Sequence, residues 1–280
     1  MKILFTTLLL FMSTSFSAPQ KHDSKIQQIN SKLNRFYQKQ KDQITYFLSK
    51  SFGNSIGSIT FQRFVKSINI QELKRIKQNL LQPGDLILKK SSGAFSDKLI
   101  PGHFNHIALY LGSYNQLKTL TLSNGEKLID QKITQKHLPK IFMDKTIIDP
   151  IRSGIVLSDL KKWRVNDLAI IRLNNYSSAK LSDSLLKAIK YLGTKYDFNF
   201  DIDTKHTIFC SELPYQIFED VKFKISKNVV RWTINPDDIA ILAGKQGQKN
   251  KPFSLIYLNH NTKVIDLDKN FRVYKKILKH

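Results

Sequence analysis

The order of short apolar runs along the chain predicts an α+β fold, with an antiparallel sheet packed against helices. Four strand-like runs occur between residues 85 and 173, and two helix-like runs follow between residues 181 and 218. Strands and helices in separate blocks are typical of α+β domains, whereas a parallel sheet needs them to alternate. A chain of 280 residues is also long enough for a domain with a substantial core.

Turn residues and apolar runs place each central element. Pro83–Gly84 predicts a turn before the first strand, Asp85–Leu88, and Gly112 ends the second strand, which begins at Asn105. The other strands and the two helices are expected at Thr146–Asp149, Val165–Leu173, Leu181–Leu192 and Cys210–Phe218. Proline lacks an amide hydrogen, so Pro150 is expected to end the third strand.

The segments that flank and interrupt these elements have weaker patterns. Residues 20–50 and Gln71–Leu81 have apolar residues at helical spacing and predict two further helices. Ser113–Lys145 is long and polar, and we interpret it as an insertion with a hairpin turn at Asn124–Gly125. After a polar linker at Lys245–Asn250, Ser254–Asn259 and Phe271–Leu278 are expected to form edge strands.

The first residues have the features of a signal peptide. Lys2 is followed by the apolar run Ile3–Met12 and by small residues at Ser15 and Ser17. We therefore expect export, with the mature protein periplasmic or secreted; a retained anchor or a buried helix is the alternative. The apolar run is too short for a spanning helix, which needs roughly 20 residues.

These boundaries divide the chain into four parts. We expect a signal peptide at 1–18, a helical N-terminal extension at 19–81, a central domain at 82–245 and a C-terminal extension at 246–280. No internal repeat occurs in the sequence.

The chain is strongly basic. It has 45 Lys and Arg residues against 22 Asp and Glu residues, which gives a formal charge of +23. Such a charge favours an anionic partner, such as an envelope polymer or a phospholipid surface. The positive residues are mostly lysines spread along the chain, without an Arg-rich arm or a nucleic-acid module, so we expect no nucleic-acid partner. A lysine-rich surface that serves solubility alone is the alternative.

Cys210 is the only cysteine of the chain. A lone thiol in an exported protein has no internal disulfide partner, so it is either packed inertly or kept for its chemistry. A helix N-terminus or a neighbouring imidazolium lowers the pKa of a thiol and makes it nucleophilic. Cys210 opens a predicted helix and meets the first condition.

Among the seven histidines, His106 begins an apolar strand and is the best candidate for a base. Asp149 ends the next strand, and an adjacent strand would bring it beside His106, where it would orient the imidazole. His103, His106 and Cys210 are also candidate ligands of a zinc site. Residues three apart on a strand point to opposite faces, and the set is short of four ligands. We therefore expect no metal and no other cofactor.

Four blocks of sequence occur in an order that carries a family resemblance. They are Pro83–Asp85, Ile100–Gly112, Ile147–Val156, and Tyr196–Phe200 together with Cys210–Leu213. In this order, with the histidine before the cysteine, they resemble the YiiX/YebB-like cysteine hydrolases. These are circularly permuted members of the NlpC/P60, papain-like superfamily.

The resemblance implies a permuted papain-like fold and a set of roles. Cys210 would be the nucleophile, His106 the base and Asp149 the orienting residue, at a position where the family usually has glutamate. The implied reaction is amide hydrolysis through a thioester, with a murein stem peptide as the leading substrate. A lipid-directed acyl hydrolase or acyltransferase, and a non-catalytic envelope-binding protein with the same fold, are the alternatives. Peripheral contact with a membrane surface fits the basic charge, and the oligomeric state is left open.

Overall fold

The computed structural model describes residues 67–90, 102–228, 231–248 and 250–278. The expected signal peptide at 1–18 and the helix at 20–50 lie outside these residues. Twelve strands lie in the described part: β1 Leu86–Lys90, β2 His106–Tyr110, β3 Ile147–Ile151, β4 Gly154–Ser158, β5 Asp167–Leu173, β6 Lys195–Tyr196, β7 Thr207–Ile208, β8 Ser226–Asn228, β9 Arg231–Thr233, β10 Ala243–Gly244, β11 Phe253–His260 and β12 Lys263–Val264.

Eight α-helices accompany these strands in the described residues. They are α1 Ile70–Asn79, α2 Tyr114–Leu117, α3 Lys132–Gln135, α4 Leu138–Phe142, α5 Ser178–Lys190, α6 Glu212–Ile217, α7 Pro236–Ala240 and α8 Leu267–Ile277. None of these described helices is long and apolar enough to cross a membrane.

One large sheet organises the domain. Its strands follow the order β10-β11-β5-β1-β2-β3-β4, with β12 paired to β11. Its recorded pairs are antiparallel apart from β10 with β11. The predicted α+β class with a largely antiparallel sheet is therefore confirmed.

Both faces of the sheet are covered, which explains the continuous apolar runs of its central strands. Along β2, Ile107 and Leu109 belong to one buried cluster, whereas Ala108 and Tyr110 belong to the other. Helices α5 and α6 contribute to the first cluster. Helix α1 contributes Leu73 and Ile76 to the second, so the end of the predicted N-terminal extension packs against the sheet.

The C-terminal residues are part of this sheet and its core. Strand β11 lies between β10 and β5, so the prediction of an edge strand at Ser254–Asn259 is wrong. The edge strand predicted at Phe271–Leu278 is also wrong, because this segment forms most of α8. Asp266 caps that helix, and Phe271, Tyr274 and Ile277 recur three residues apart on its buried face. Segment 246–280 thus supplies an interior strand and a packed helix to the domain.

The Ser113–Lys145 segment, which the sequence analysis interprets as a polar insertion, has regular secondary structure. It contains α2, α3, α4 and a short 3-10 helix at Leu128–Asp130. Leu117, Leu128 and Ile141 are buried in the first cluster, so the segment is packed onto the sheet. The predicted turn is present, since the N–H of Gly125 donates to the carbonyl oxygen of Leu122 at 3.0 Å.

Two boundaries near the candidate site differ from prediction. Strand β3 continues through Pro150 to Ile151, because it stays paired with β4, where Pro150 lies opposite Ile155. The helix predicted at Cys210–Phe218 begins at Glu212, which places Pro214 within its first turn, where proline is tolerated. Cys210 therefore lies in a turn just ahead of α6.

Candidate active site

His106 and Asp149 are joined directly. Nε2 of His106 lies 2.7 Å from Oδ1 of Asp149, and both side chains are largely buried. Strands β2 and β3 pair at Leu109 with Ile148, and continuing this register brings Asp149 to Ala108. Since alternate residues share a face, Asp149 lies on the same face as His106. The predicted adjacency of these two residues is therefore observed.

Cys210 completes the group. Its side chain is hydrogen-bonded to that of His106. Because Asp149 occupies Nε2, the remaining ring nitrogen, Nδ1, is the atom left for the thiol. Cys210 follows β7 and precedes α6, and only 1% of its surface is exposed. The three residues predicted as a site from sequence thus lie together.

The thiol and the imidazole shift each other's pKa in opposite directions. Burial raises the pKa of Cys210, but the hydrogen bond and the charge of His106 outweigh it, so the pKa is below its usual value. Burial and the charge of Lys89 lower the pKa of His106, but hydrogen bonds to Asp149 and Cys210 raise it above its usual value. This arrangement favours a thiolate beside an imidazolium, the reactive form of such a pair.

A backbone amide also faces the sulfur. The N–H of Ile107 is hydrogen-bonded to Cys210 and lowers the pKa of its thiol. Just after β2, the N–H of Leu111 donates to the carbonyl oxygen of Thr146, the residue before β3. Since the N–H groups of alternate residues point to the same side of a strand, the odd-numbered residues of β2 also direct their N–H groups toward β3. Recorded pairing with β3 stops at Leu109, and in the continued register Ile107 would face Pro150, which has no N–H to offer.

Asp149 is fixed by more than the histidine. Its Oδ2 accepts a hydrogen bond from Ser158 Oγ at 2.9 Å, and the indole N–H of Trp163 donates to the same hydroxyl at 3.2 Å. Burial raises the pKa of Asp149, but Lys89, His106 and Ser158 together lower it to about 2. The carboxylate is therefore ionised and held in a single orientation across the neutral pH range.

Lys89 adds a positive charge next to this group. It pairs directly with His106 across strands β1 and β2, so the two side chains share a face. Its Nζ lies 4.0 Å from the centroid of the Trp163 ring. The lysine acts on both neighbours, since its charge lowers the pKa of His106 and that of Asp149.

Tyr196 contacts the nucleophile from β6. Its hydroxyl is hydrogen-bonded to the sulfur of Cys210 and to the backbone N–H of the same residue. Burial and the neighbouring thiol hold the pKa of Tyr196 well above its usual value, so the phenol stays protonated as a donor. A protonated hydroxyl and a backbone N–H that converge beside a sulfur are suited to bind an oxyanion.

The approach to His106 is anchored by α7. The carboxylate of Asp237 accepts the backbone N–H groups of His103, at 2.6 Å, and of Phe104, at 2.9 Å. Gly102 has φ +110°, and a Cβ there would come within 2.5 Å of the Asp237 carboxylate. A glycine at this position therefore lets the chain pass close to Asp237 and enter β2 in a fixed register.

His103 does not join His106 and Cys210. It turns instead toward Asp167 and His260, so the zinc arrangement considered from sequence, with both histidines on Cys210, is not formed. A cavity of about 550 Å³ lies at the opposite end of β2, beside Tyr110, and is separate from the thiol. The other residues around this cavity are Lys74, Lys77, Gln78, Ser113, Gln116, Asp144 and Lys161.

Sequence reasoning missed four residues of the site: Lys89, Ser158, Trp163 and Tyr196. Lys89 carried a detectable signal, because it follows the apolar run of β1 directly. Tyr196 lies in a block that resembles the family, but nothing in the sequence joined it to the thiol. The positions of Ser158 and Trp163 depend on how β4 and the following loop fold back onto β3.

A mixed sheet with segregated helices, and a buried cysteine hydrogen-bonded to a histidine on a strand that precedes it, are features of permuted papain-like cysteine hydrolases. The sequence pattern of one family, described as "permuted papain-like amidase enzyme, YaeF/YiiX, C92 family", matches residues 80–265. The chain belongs to this family of cysteine amidases and peptidases, which confirms the predicted family, fold class and enzyme class. No curated protein and no solved structure matched the chain.

Proposed function

We propose that the protein is an exported cysteine amidase in which Cys210 is the nucleophile, His106 the general base and Asp149 the residue that orients the histidine. The observation that carries the proposal is the continuous hydrogen-bonded series from Cys210 through His106 to Asp149. It joins a thiol of lowered pKa to a base, and the base to an orienting carboxylate.

The first half of the reaction acylates the enzyme. Nδ1 of His106 accepts the thiol proton, and the Cys210 thiolate attacks the amide carbon, so a C–S bond forms. Tyr196 Oη–H and the Cys210 N–H then donate to the tetrahedral oxyanion, after leaving their present mutual bond. When the intermediate collapses, the C–N bond breaks, and the imidazolium gives its proton to the departing amine.

The second half releases the acid. Water loses a proton to Nδ1 of His106 and attacks the thioester carbon through a second oxyanion. The C–S bond breaks, a carboxylic acid leaves, and the Cys210 thiolate and His106 imidazolium are regenerated. Throughout, Nε2–H of His106 donates to Asp149, which keeps the ring in one orientation.

We further propose a peptide of the cell envelope as substrate, with a murein stem peptide first. The charge of +23 supports an anionic partner, and the N-terminal sequence supports export into a periplasmic or external space where that partner occurs. The same charge supports peripheral contact with an anionic membrane surface.

A specific observation favours acyl esters as a second substrate class. Tyr196 stacks edge-on with Phe198 and Phe200, at centroid distances of 5.1 and 6.1 Å, and Phe200 contacts Phe209 beside the thiol. The half-buried rings of Phe198 and Phe200 offer an apolar surface close to the nucleophile, which suits an acyl chain.

Thiol labelling across pH tests the catalytic proposal. We expect Cys210 to react with iodoacetamide with an apparent pKa below the free value of about 8.5, and this pKa to rise in His106→Ala. His206→Asn is the matched control, because asparagine tolerates the left-handed backbone at this exposed histidine. Sluggish labelling at neutral pH, equal in wild type and His106→Ala, would contradict the nucleophile and favour the non-catalytic alternative.

Substrate class is tested with purified mature protein. Mass spectrometry should trap an acyl adduct on Cys210 after brief incubation with soluble murein stem peptides, and His106→Ala should lack it. Adducts from p-nitrophenyl acyl esters alone would support the second class and overturn the peptide assignment.

A further inference from the structure

A second cluster of ligand-type side chains lies at the same end of the sheet as the thiol but apart from it. Asp167 begins β5, His260 ends β11, and His103 lies in the segment that enters β2. One ligand atom from each residue lies within 4.8 Å of the others.

The sheet explains why these residues meet. His106 pairs with Lys89, Lys89 with Leu168, and Leu168 with Asn259, so these four residues form one row across four strands. Asp167 and His260 occupy the next row outward, and His103 reaches them from the segment that precedes β2. Asp167, at the centre of the cluster, lies two strand spacings from β2, roughly 10 Å, and the cluster shares no residue with the thiol site.

One carboxylate oxygen is the centre of the cluster. Oδ2 of Asp167 lies 2.7 Å from Nε2 of His103 and 2.7 Å from Nδ1 of His260. The other oxygen, Oδ1, accepts the backbone N–H of Asn261 at 2.7 Å. The carboxylate is nearly inaccessible, at 3% side-chain exposure, and its orientation is fixed from both sides.

The side chain of His103 provides the evidence that this cluster binds a ligand. Its side chain is 91% buried, and its Nε2 has no hydrogen bond of acceptable geometry, although it lies close to Asp167. A buried polar atom whose contact is poorly aligned is only partly compensated for the water it has lost. The backbone of His103 is itself held by Asp237, so this nitrogen is directed into the cluster by a fixed chain.

We propose that His103, Asp167 and His260 form a binding site for a divalent transition-metal ion of the zinc class. Two imidazole nitrogens and one carboxylate oxygen are ligands that zinc accepts, with a fourth position left for water. Ligand atoms around tetrahedral zinc are about 3.3 Å apart, for bonds of about 2.0 Å, so both contacts to Asp167 must lengthen by about 0.6 Å.

The residue next to His260 accommodates this change. Nδ2 of Asn261 lies 3.0 Å from Nε2 of His260, while Nδ1 faces Asp167. When the ion binds Nδ1, the ring proton moves to Nε2, and the Asn261 amide turns so that its oxygen accepts it. Such outer hydrogen bonds orient histidine ligands in metal sites.

The ion would hold the segment that leads to His106. It joins the Gly102–Asn105 approach to β5 and β11, adding to the bonds that Asp237 makes with the same segment. Metal binding should therefore stabilise the fold and fix the strand that carries His106, without taking part in the chemistry at Cys210.

Zinc titration of the full mature chain in a Cys210→Ala background tests the proposal, because this variant has no thiol to capture the metal. After treatment with EDTA and dialysis, we expect calorimetry to show one saturable zinc site per chain. The Tm should rise by roughly 5 °C or more when free zinc exceeds Kd about 100-fold.

Matched variants assign the ligands. His103→Ala and His260→Ala should each weaken zinc binding at least about tenfold, whereas His206→Asn, outside the cluster, should bind as its parent does. His260 is partly exposed, so His260→Ala is expected to fold even where His103→Ala does not; circular dichroism in EDTA checks this. Absence of saturable binding, or equal binding by His260→Ala and His206→Asn, would overturn the site. Since the readouts are binding and Tm, they do not depend on the amidase assignment.

Discussion

Pro150 lies opposite Ile107 in the continued register of β3 and β2, just where the hydrogen-bonded ladder between these strands ends. Because proline has no amide hydrogen, it cannot donate to the Ile107 carbonyl, so this position of the ladder lacks one of its two hydrogen bonds; the Ile107 N–H bonds instead to the sulfur of Cys210. A single residue thus separates the structural part of β2 from the part that serves the thiol.

Pro150→Ala should reduce activity without destabilising the protein. Alanine supplies the missing N–H, so the ladder can extend and draw the Ile107 amide away from Cys210. A hydrogen bond to a charged group contributes about 1.5 kcal/mol or more, so we expect a loss of about tenfold in kcat/KM and a higher thiol pKa. Thermal unfolding should show an equal or higher Tm. Unchanged labelling of Cys210 would mean that this amide does not matter to the thiol.

Ser158→Ala should weaken catalysis through Asp149. The variant removes the 2.9 Å hydrogen bond to Oδ2 and leaves the Trp163 N–H without its acceptor. We expect kcat to fall about tenfold, with little change in KM, because the loss affects the orientation of His106 and not substrate contacts. Ser158→Thr, which keeps the hydroxyl, should recover most of the activity. A rise in KM alone would argue against this positioning role.

Asp149→Asn should narrow the pH range of activity. Removing the carboxylate charge lowers the pKa of His106 toward its usual value, because the negative charge of Asp149 that helps to raise it is lost. With a less charged partner, the pKa of Cys210 rises. The basic limb of kcat/KM should move to lower pH and the acidic limb to higher pH, with a maximum reduced about 10- to 100-fold. A profile that falls without narrowing would contradict the role of Asp149.

In Lys89→Met, the basic limb of the kcat/KM profile should move to higher pH, opposite to its shift in Asp149→Asn. The lysine charge lowers the pKa of His106, so its removal raises that pKa further and extends activity to higher pH. Methionine keeps an unbranched apolar side chain over the Trp163 ring, which limits the loss of packing. Steady-state profiles of Lys89→Met and Asp149→Asn, measured side by side, should therefore shift in opposite directions. A shift in the same direction would show that the two charges do not act on one histidine.

Glu212→Gln should stabilise the protein at neutral and alkaline pH. Burial raises the pKa of Glu212 to about 7 despite hydrogen bonds from Gln216 and the Phe209 N–H. Between pH 4.5 and 7 the unfolded chain releases this proton while the fold retains it, so the free energy of unfolding falls as pH rises. The fall is complete above pH 7 and amounts to at most about 3 kcal/mol.

The difference between wild type and Glu212→Gln is read from urea unfolding at several pH values. It should be small at pH 4 and largest above pH 7, in favour of glutamine. A difference independent of pH would show that the Glu212 charge is not the cause.

The predictions from sequence succeeded where a local pattern determined the outcome. The apolar runs of β1, β2 and β5 are buried on both faces, so their identity as strands did not depend on distant residues. His106 and Asp149 could be placed together because consecutive strands commonly pair. Their roles in catalysis, and the export of the protein, stay predictions.

The wrong or missing predictions concern segments whose structure depends on contacts with residues far away in the sequence. The apolar residues of Phe271–Leu278 fit a short strand as well as a helix, and only the Asp266 cap and the buried three-residue spacing favour α8. Strand β11 was predicted at an edge because nothing local reveals that β10 lies beyond it. Lys89, Ser158 and Trp163 are polar or amphipathic residues at element ends, and their meeting depends on strand register across the sheet.

The interior position of β11 has a consequence for biosynthesis. Until residues 253–260 leave the ribosome, β5 has one unpaired edge of seven largely apolar residues. Such an edge readily pairs with other chains. A nascent chain therefore cannot complete its sheet until residues 253–260 have been made, and chains released near residue 245 should accumulate as aggregates and be degraded. Strand β11 thus controls whether the segments made before it become a usable enzyme.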